Sequence, residues 1–84
     1  MANAWVVVSR ADGGGMGDSV YVNGDYVDAA GAIGTPFVVE TGDNLFEALG
    51  PDGKVHWRAT QIIDEPPPGA SKDDPVPVTV NPLP

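Results

Sequence analysis

The stretch of residues 19–28, SVYVNGDYVD, decides the fold. In its centre the dipeptide Asn23-Gly24 lies between two runs of strand-forming residues. This dipeptide favours a type I′ turn, because both central residues of that turn must take a positive φ. The turn sets the register of a hairpin in which Tyr21 lies opposite Tyr26, and such an aromatic pair contributes about 0.2–1 kcal/mol. The pattern predicts a β-hairpin beside which the other strands of a small β domain are laid.

Composition restricts the classes of function. The chain has 84 residues, which is enough for one domain, and no cysteine, so neither a disulfide nor a thiolate metal site is available. Its net charge of -8 would repel nucleic acids and anionic membranes, so we expect neither as a partner. The N-terminal residues, MANAWVVVSR, have no basic region and only a short apolar run, which predicts cytoplasmic synthesis without an export signal.

Further strand-forming runs surround the hairpin. Residues 44–49, NLFEAL, tolerate a helical turn as well as a strand, but six residues are too few for a stable helix, so we favour the strand. The predicted fold is all-β, a small antiparallel sandwich or open barrel of about five to six short strands. The strands outside the first hairpin are predicted at residues 4–10, 37–40, 44–49 and 54–63.

The composition changes sharply after residue 64. Residues 65–84, EPPPGASKDDPVPVTVNPLP, are so rich in proline that neither a helix nor an interior strand is expected there. We therefore divide the chain into a β domain, residues 1–64, and an extended Pro-rich arm, residues 65–84. Val76, Val78 and Val80 would share one face of an extended strand, and a purely solvated tail has no need of such a stripe. The alternatives for the arm are a disordered linker, an SH3-type ligand at residues 66–69, and a segment held by a partner.

Side chains that carry chemistry are scarce. His56 is the only histidine and lacks a paired nucleophile, so we interpret it as a solvent-facing strand residue. The glycine-rich residues 12–18 lack the lysine and the following helix of a phosphate-binding loop. Four loop aspartates could offer oxygen ligands to calcium but lack the spacing of a calcium-binding loop: Asp12, Asp18, Asp25 and Asp28. We predict no catalytic residue, no cofactor and no metal site.

The body of the chain, residues 20–48, resembles the PEGA domain, a family of small β folds. The matching residues are the opening Val20-Tyr21-Val22-Asn23-Gly24, the step Gly34-Thr35-Pro36-Phe37, and Gly42. The chain departs from the family in its longer stretch between the first two motifs and in the missing export signal. The resemblance implies a non-enzymatic binding or structural module and transfers no catalytic residue. A carbohydrate would stack on exposed aromatic side chains. The four candidates, each of which could instead lie in the core, are Trp5, Tyr21, Tyr26 and Trp57.

These observations predict a non-catalytic structural subunit that docks on the protein subunits of a larger assembly and is oligomeric in that context. The Pro-rich arm would add a strand to a neighbour's sheet, because a strand interrupted by proline can pair along one edge only. A small acidic chain of this kind looks like a bacteriophage virion component such as a capsid decoration or stabilising protein, located in the virion or the cytoplasm. The alternative is a PEGA-like binding module for carbohydrate or protein. The predicted partner-binding residues are Pro75, Val76, Pro77, Val78, Val80 and Leu83.

Overall fold

A computed structural model describes residues 2–15, 17–27 and 32–84, and its regular elements over these residues are all strands. The all-β prediction is confirmed, and residues 44–49 lie in a strand rather than in a helix. The seven strands are β1 (Asn3–Arg10), β2 (Val20–Val22), β3 (Asp25–Tyr26), β4 (Phe37–Glu40), β5 (Gly42–Leu49), β6 (Val55–Ile63) and β7 (Val76–Pro82).

The strands form one curled sheet, a half-barrel, in the order β3-β2-β5-β6-β7-β1-β4. Neighbouring strands are antiparallel except for β1 and β7, which run parallel. The sheet therefore differs from the prediction in two respects, since it has seven strands rather than five or six and is mixed rather than purely antiparallel. Both differences arise from the C-terminal segment, which supplies β7.

The first hairpin has the predicted turn and register. Asn23 and Gly24 take φ values of 53° and 85°, as a type I′ turn requires. Tyr21 lies opposite Tyr26, and the two rings meet edge to face with their centroids 5.8 Å apart. This geometry is one of the favoured arrangements of two aromatic rings. Local turn chemistry alone therefore accounts for β2, β3 and their pairing.

The core lies on the concave side of the half-barrel. On β1 the alternate residues Ala4, Val6 and Val8 are buried, because successive side chains of a strand point to opposite faces. On β6 the face that contains Trp57 and Ala59 packs against the same core. The buried apolar residues are Ala4, Val6, Val8, Val20, Ala32, Ile33, Phe37, Val39, Phe46, Ala48, Ile63, Val78 and Val80.

The predicted C-terminal arm is part of the domain, and the boundary at residue 64 is wrong in this respect. Strand β7 lies between β1 and β6, and its residues Val78 and Val80 are 0% exposed. The valine stripe is therefore covered by the chain's own core rather than by a neighbour. Pro77 is tolerated inside the sheet because β6 and β7 pair only near residues 57–58, so no β6 residue needs its missing N–H. The side chain of Gln61 on β6 makes the contact at this point, since its Nε2 donates to the carbonyl oxygen of Pro77 at 3.2 Å.

The connection between β6 and β7 is anchored against β1 at Gly69. Trp5 donates its N–H to the carbonyl oxygen of Gly69 at 2.8 Å, and the N–H of Gly69 bonds to the oxygen of Asp74. Gly69 is buried with a φ of +105°, and a Cβ atom there would lie 3.1 Å from side-chain carbons of Ala4 and Val76. Only glycine combines this φ with such a close approach of the two segments. The first part of the predicted arm is thus also held by the domain.

Candidate functional site

A groove of about 570 Å³ lies between the two edge strands of the unclosed sheet. One wall is the β2–β3 hairpin from Val22 to Val27, and the opposite wall is β4. Asn44 of β5 closes one end, where a single residue, Thr41, connects β4 to β5. We call this feature the edge groove.

The open edge of β4 directs main-chain hydrogen-bonding groups toward the groove. Trp5 lies opposite Val38 in the β1–β4 pair, yet Trp5 donates its N–H in the other direction, to Gly69. In an antiparallel pair, residues that do not bond to each other both point their N–H and C=O groups outward. The N–H and C=O of Val38 therefore face the groove, and by the same alternation so do those of Glu40. Among the described residues, no strand pairs with this side of β4.

In the part of the chain that the structure describes, the opposite edge strand, β3, also lacks a partner on its outer side. Val27 donates its N–H to the oxygen of Val20 at 2.9 Å, so the main-chain groups of Val27 point toward β2. Tyr26 comes one residue earlier and has the opposite orientation, which directs its N–H and C=O away from the sheet. Its side chain is 56% exposed. The groove is thus flanked by two strand edges, each of which presents main-chain donors and acceptors.

A pair of asparagines fixes the closed end of the groove. The side chain of Asn44 is only 3% exposed, and its Nδ2 donates to the carbonyl oxygens of Glu40 and Gly42 at 2.8 and 3.1 Å. Its Oδ1 accepts a bond of 2.9 Å from Nδ2 of Asn23, whose own Oδ1 accepts the N–H of Leu45 at 2.8 Å. Because the buried amide is fully paired, this network stabilises the distance between the hairpin and β4. Asn23 thus forms the turn and also ties it to the other wall.

The lining of the groove combines apolar and acidic side chains. Val38 is 47% exposed, which is unusual for a valine beside a core, and Phe37 and Val39 contribute to the same wall. The charged residues of the lining are Asp25 and Glu40, so its formal charge is negative. A groove of mixed apolar and acidic lining, bordered by unpaired strand edges, is suited to binding an extended, positively charged chain.

His56 forms a surface pair with Asp52. Its Nε2 lies 2.9 Å from both carboxylate oxygens of Asp52, and both side chains are about half exposed. The hydrogen bond from His56, followed by that from the N–H of Lys54, lowers the pKa of Asp52. The pair braces the turn between β5 and β6, where a Cβ at Gly50 would meet the imidazole.

Two of the four candidate calcium ligands are occupied by Arg10. The guanidinium of Arg10 lies 4.2 Å above the ring of Trp57 and bonds to both carboxylate oxygens of Asp12, at 3.0 and 2.6 Å. Asp18 lies 3.4 Å from the same guanidinium. The hydrogen bond from Arg10 is the main reason why the pKa of Asp12 lies below its ordinary value. The glycine-rich loop wraps this side chain, since a Cβ at Gly15 would lie 2.5 Å from the Cδ of Arg10.

The other predicted site residues are scattered. Asp25 lies in the edge groove, and Asp28 lies outside the described residues. Within the described ranges, no three acidic or histidine side chains are grouped as a metal ion would need. Of the aromatic residues, Trp57 packs against the core under Arg10, Trp5 and Tyr21 are half-buried, and Tyr26 borders the groove.

The predicted partner-binding residues do not form one exposed surface. Val78 and Val80 are buried in the core, and Pro75 and Val76 are partly buried. Pro77 and Leu83 are exposed, but the N–H of Leu83 bonds to the oxygen of His56 at 2.9 Å. The segment that was expected to reach a neighbour is therefore occupied within its own sheet. The prediction that these residues lend a strand to a partner is corrected accordingly.

Sequence reasoning missed the groove because its members are distant in the chain. The alternation of residues 37–40, FVVE, indicates a strand with Val38 and Glu40 on the outer face, but it does not show that the strand lies at an edge. Asn44 begins the run of residues 44–49 that predicts a strand, and nothing local indicates that its amide would be buried. The available signal was Pro36, which commonly precedes a strand at the edge of a sheet.

Comparisons with protein-family models, with curated proteins and with solved structures return no match to this chain. The PEGA resemblance and the virion setting therefore remain predictions. Over the described residues, the protein has no helix with the length and apolar character needed to span a bilayer.

Proposed function

We propose that this protein is a non-catalytic interaction module of a larger protein assembly, and that the edge groove binds an extended segment of a partner. One observation carries the proposal: the main-chain groups of Val38 and Tyr26 face the same groove from opposite sides. A peptide that adds a strand to such an edge gains main-chain hydrogen bonds, and its alternate side chains enter the groove. Binding of this kind needs no catalytic residue, metal or cofactor.

An exposed apolar residue on the open edge of β4 supports this assignment. Proteins commonly protect the edges of their sheets with lysines, bulges or covering segments, because an unpaired strand edge invites pairing with other chains. On β4 the residue at the centre of the open edge is Val38, whose side chain is half exposed beside the edge groove. An apolar residue at that position has a clear use if a partner covers it. The assembly role predicted from the composition is thus moved from the C-terminal segment to the edge groove.

A peptide-display selection tests the proposal. A library of extended peptides is selected on the wild-type protein and then compared on Val38→Pro and Val38→Ala. Proline at residue 38 removes an N–H that points into the groove and leaves the pairing of β4 with β1 intact. We expect selected peptides to lose at least about fivefold in affinity on V38P, the value of one hydrogen bond, and much less on V38A. If no peptide is enriched, or if V38P binds every enriched peptide as well as the wild type, the proposal is refuted.

The exposure of Tyr26 in the groove supports a second candidate, the PEGA-like binding of carbohydrate. Sugars bind to proteins by stacking on exposed aromatic rings, and this ring is 56% exposed. A glycan-array screen of the wild type and of Tyr26→Ala tests it, because a true stacking ligand must lose affinity on the variant. Failure to find a glycan with this dependence would eliminate the carbohydrate candidate and leave the strand-binding proposal standing.

A further inference from the structure

Resting on that proposed function, we infer that the occupant of the edge groove is a basic segment of a different protein, in which apolar and basic residues alternate, and that it runs antiparallel to β4. The inference draws on the strand directions, the two faces of the groove and the distribution of charge. Each of these assigns one property of the occupant.

The strand directions determine how a partner can run. Following the antiparallel and parallel pairs through the sheet places β3 and β4 in opposite directions. A single strand inserted between them must therefore be antiparallel to one edge and parallel to the other. β4 offers four residues and β3 only two, and antiparallel pairing is the more stable kind. The partner is expected to pair chiefly with β4.

The inner face of the groove calls for apolar side chains. Phe37 and Val39 point to the buried side of β4, and Val22 and Val27 of the hairpin pack against the same core. A partner residue opposite Val39 would point to this side and extend the core. Because successive side chains of a strand alternate between faces, every second residue of the partner should then be apolar.

The outer face calls for basic side chains. Glu40 is exposed on the outer face of β4, and Tyr26 is exposed on the other edge. A Lys or Arg of the partner beside Val38 would reach the carboxylate of Glu40, and it could also contact the face of the tyrosine ring. Asp25 adds a second carboxylate at the turn of the hairpin. The partner residues that do not enter the groove are therefore expected to be basic.

Overall charge favours a foreign partner over a second copy. The chain carries a net charge of -8, so two copies repel each other, and pairing of β4 with its own copy would bring two Glu40 side chains to one interface. The same field attracts a cationic segment and raises its association rate at low ionic strength. The chain's own valine-rich strand is not available, because β7 is built into the core.

Three labelled peptides of about six residues, a common strand length, test the inference. They alternate valine with lysine, with serine or with glutamate, and their affinities for the intact protein are measured by fluorescence anisotropy. We expect the lysine peptide to bind most tightly and the glutamate peptide least, with the difference falling as salt rises to about 1 M, where screening extends over only about 3 Å. The amide hydrogen of Val38 should exchange more slowly when the lysine peptide is bound.

Charge reversal locates the effect. Glu40→Lys should weaken the lysine peptide by about threefold to fivefold and strengthen the glutamate peptide, on the scale of an exposed ion pair. Glu65→Lys is the matched control, because it makes the same change in net charge at an exposed residue that does not line the groove. If E65K has the same effect as E40K, the peptides respond to net charge alone and the inference is overturned.

The remaining outcomes separate the inference from the proposed function. If the serine peptide binds as tightly as the lysine peptide and V38P weakens both, the basic chemistry is wrong while strand binding stands. The same conclusion follows if none of the three peptides binds but the display selection yields peptides sensitive to V38P. If the selection fails too, both are refuted. A dimer in analytical ultracentrifugation that V38P dissociates would show that the occupant is a second copy, which also overturns the inference.

Discussion

Replacing Val78 by alanine measures how much β7 contributes to the stability of the domain. Val78 is 0% exposed on β7, and Val38 is 47% exposed on β4, so Val38→Ala is a matched control with the same chemical change. Removal of two buried carbons costs about 0.8 kcal/mol each in transfer free energy, and the cavity left behind adds to this. We expect V78A to lower the free energy of unfolding by about 2–3 kcal/mol and V38A by less than about 0.5 kcal/mol.

Urea titration followed by tryptophan fluorescence is a suitable assay, because Trp57 packs against the core. A domain of this length is expected to have a total stability of about 4–13 kcal/mol, so the predicted loss is a large fraction of it. The corresponding fall in Tm is about 4–8 °C for each kcal/mol. The slope of the unfolding free energy against urea should stay unchanged in both variants, which would show that the extent of unfolding is the same.

Equal and small losses in V78A and V38A would refute the assignment of β7 to the core. The C-terminal segment would then be free to leave the sheet, and the prediction of an arm that lends a strand to a neighbour would return. A chain that ends at residue 64 extends the test, since it removes a central strand and exposes the edges of β1 and β6. We expect this truncated chain to show no cooperative unfolding transition.

Two further predictions concern the polar contacts. Asn44→Ala removes a buried amide with two main-chain acceptors, so it should cost about 1–3 kcal/mol in unfolding free energy by denaturant titration, whereas the exposed control Asn81→Ala should cost less than about 0.5 kcal/mol. Because Arg10 holds the pKa of Asp12 below its ordinary value of 3.8, this pair stabilises the fold at neutral pH, and its contribution is lost as the pH falls through and below that value. Asp12→Asn should therefore lose less stability than the wild type between neutral pH and about pH 3, and an equal loss in both proteins would contradict the assignment.

The parts of the fold that depend on neighbouring residues were predictable. The Asn23-Gly24 turn requires two residues with positive φ, and this requirement is satisfied within the dipeptide, so the hairpin and its Tyr21–Tyr26 pair follow from the sequence. The alternation of β6 likewise indicates which of its faces is buried, because the period of a strand is local. The all-β class follows from these short-range patterns.

The placement of the C-terminal strand, which decides where the sheet has its edges and hence the candidate site, was not predictable in the same way. The sequence shows that Val76, Val78 and Val80 form an apolar stripe that must be covered, but it does not show whether the cover is the chain's own sheet or another protein. That choice depends on the edge that β1 and β6 leave open, and these strands lie far from the stripe in the sequence. Proline density suggested a separate arm, yet the sheet accommodates Pro77 because β6 does not pair with β7 at that residue.

By itself, the sequence determined the turns, the faces of the strands and the need to bury the valine stripe. Tertiary structure decided which strands became the edges, and with them the position of the groove between β3 and β4. The physical reason is that the order of strands in a sheet depends on contacts between distant segments, whose closure entropy and packing no local pattern encodes.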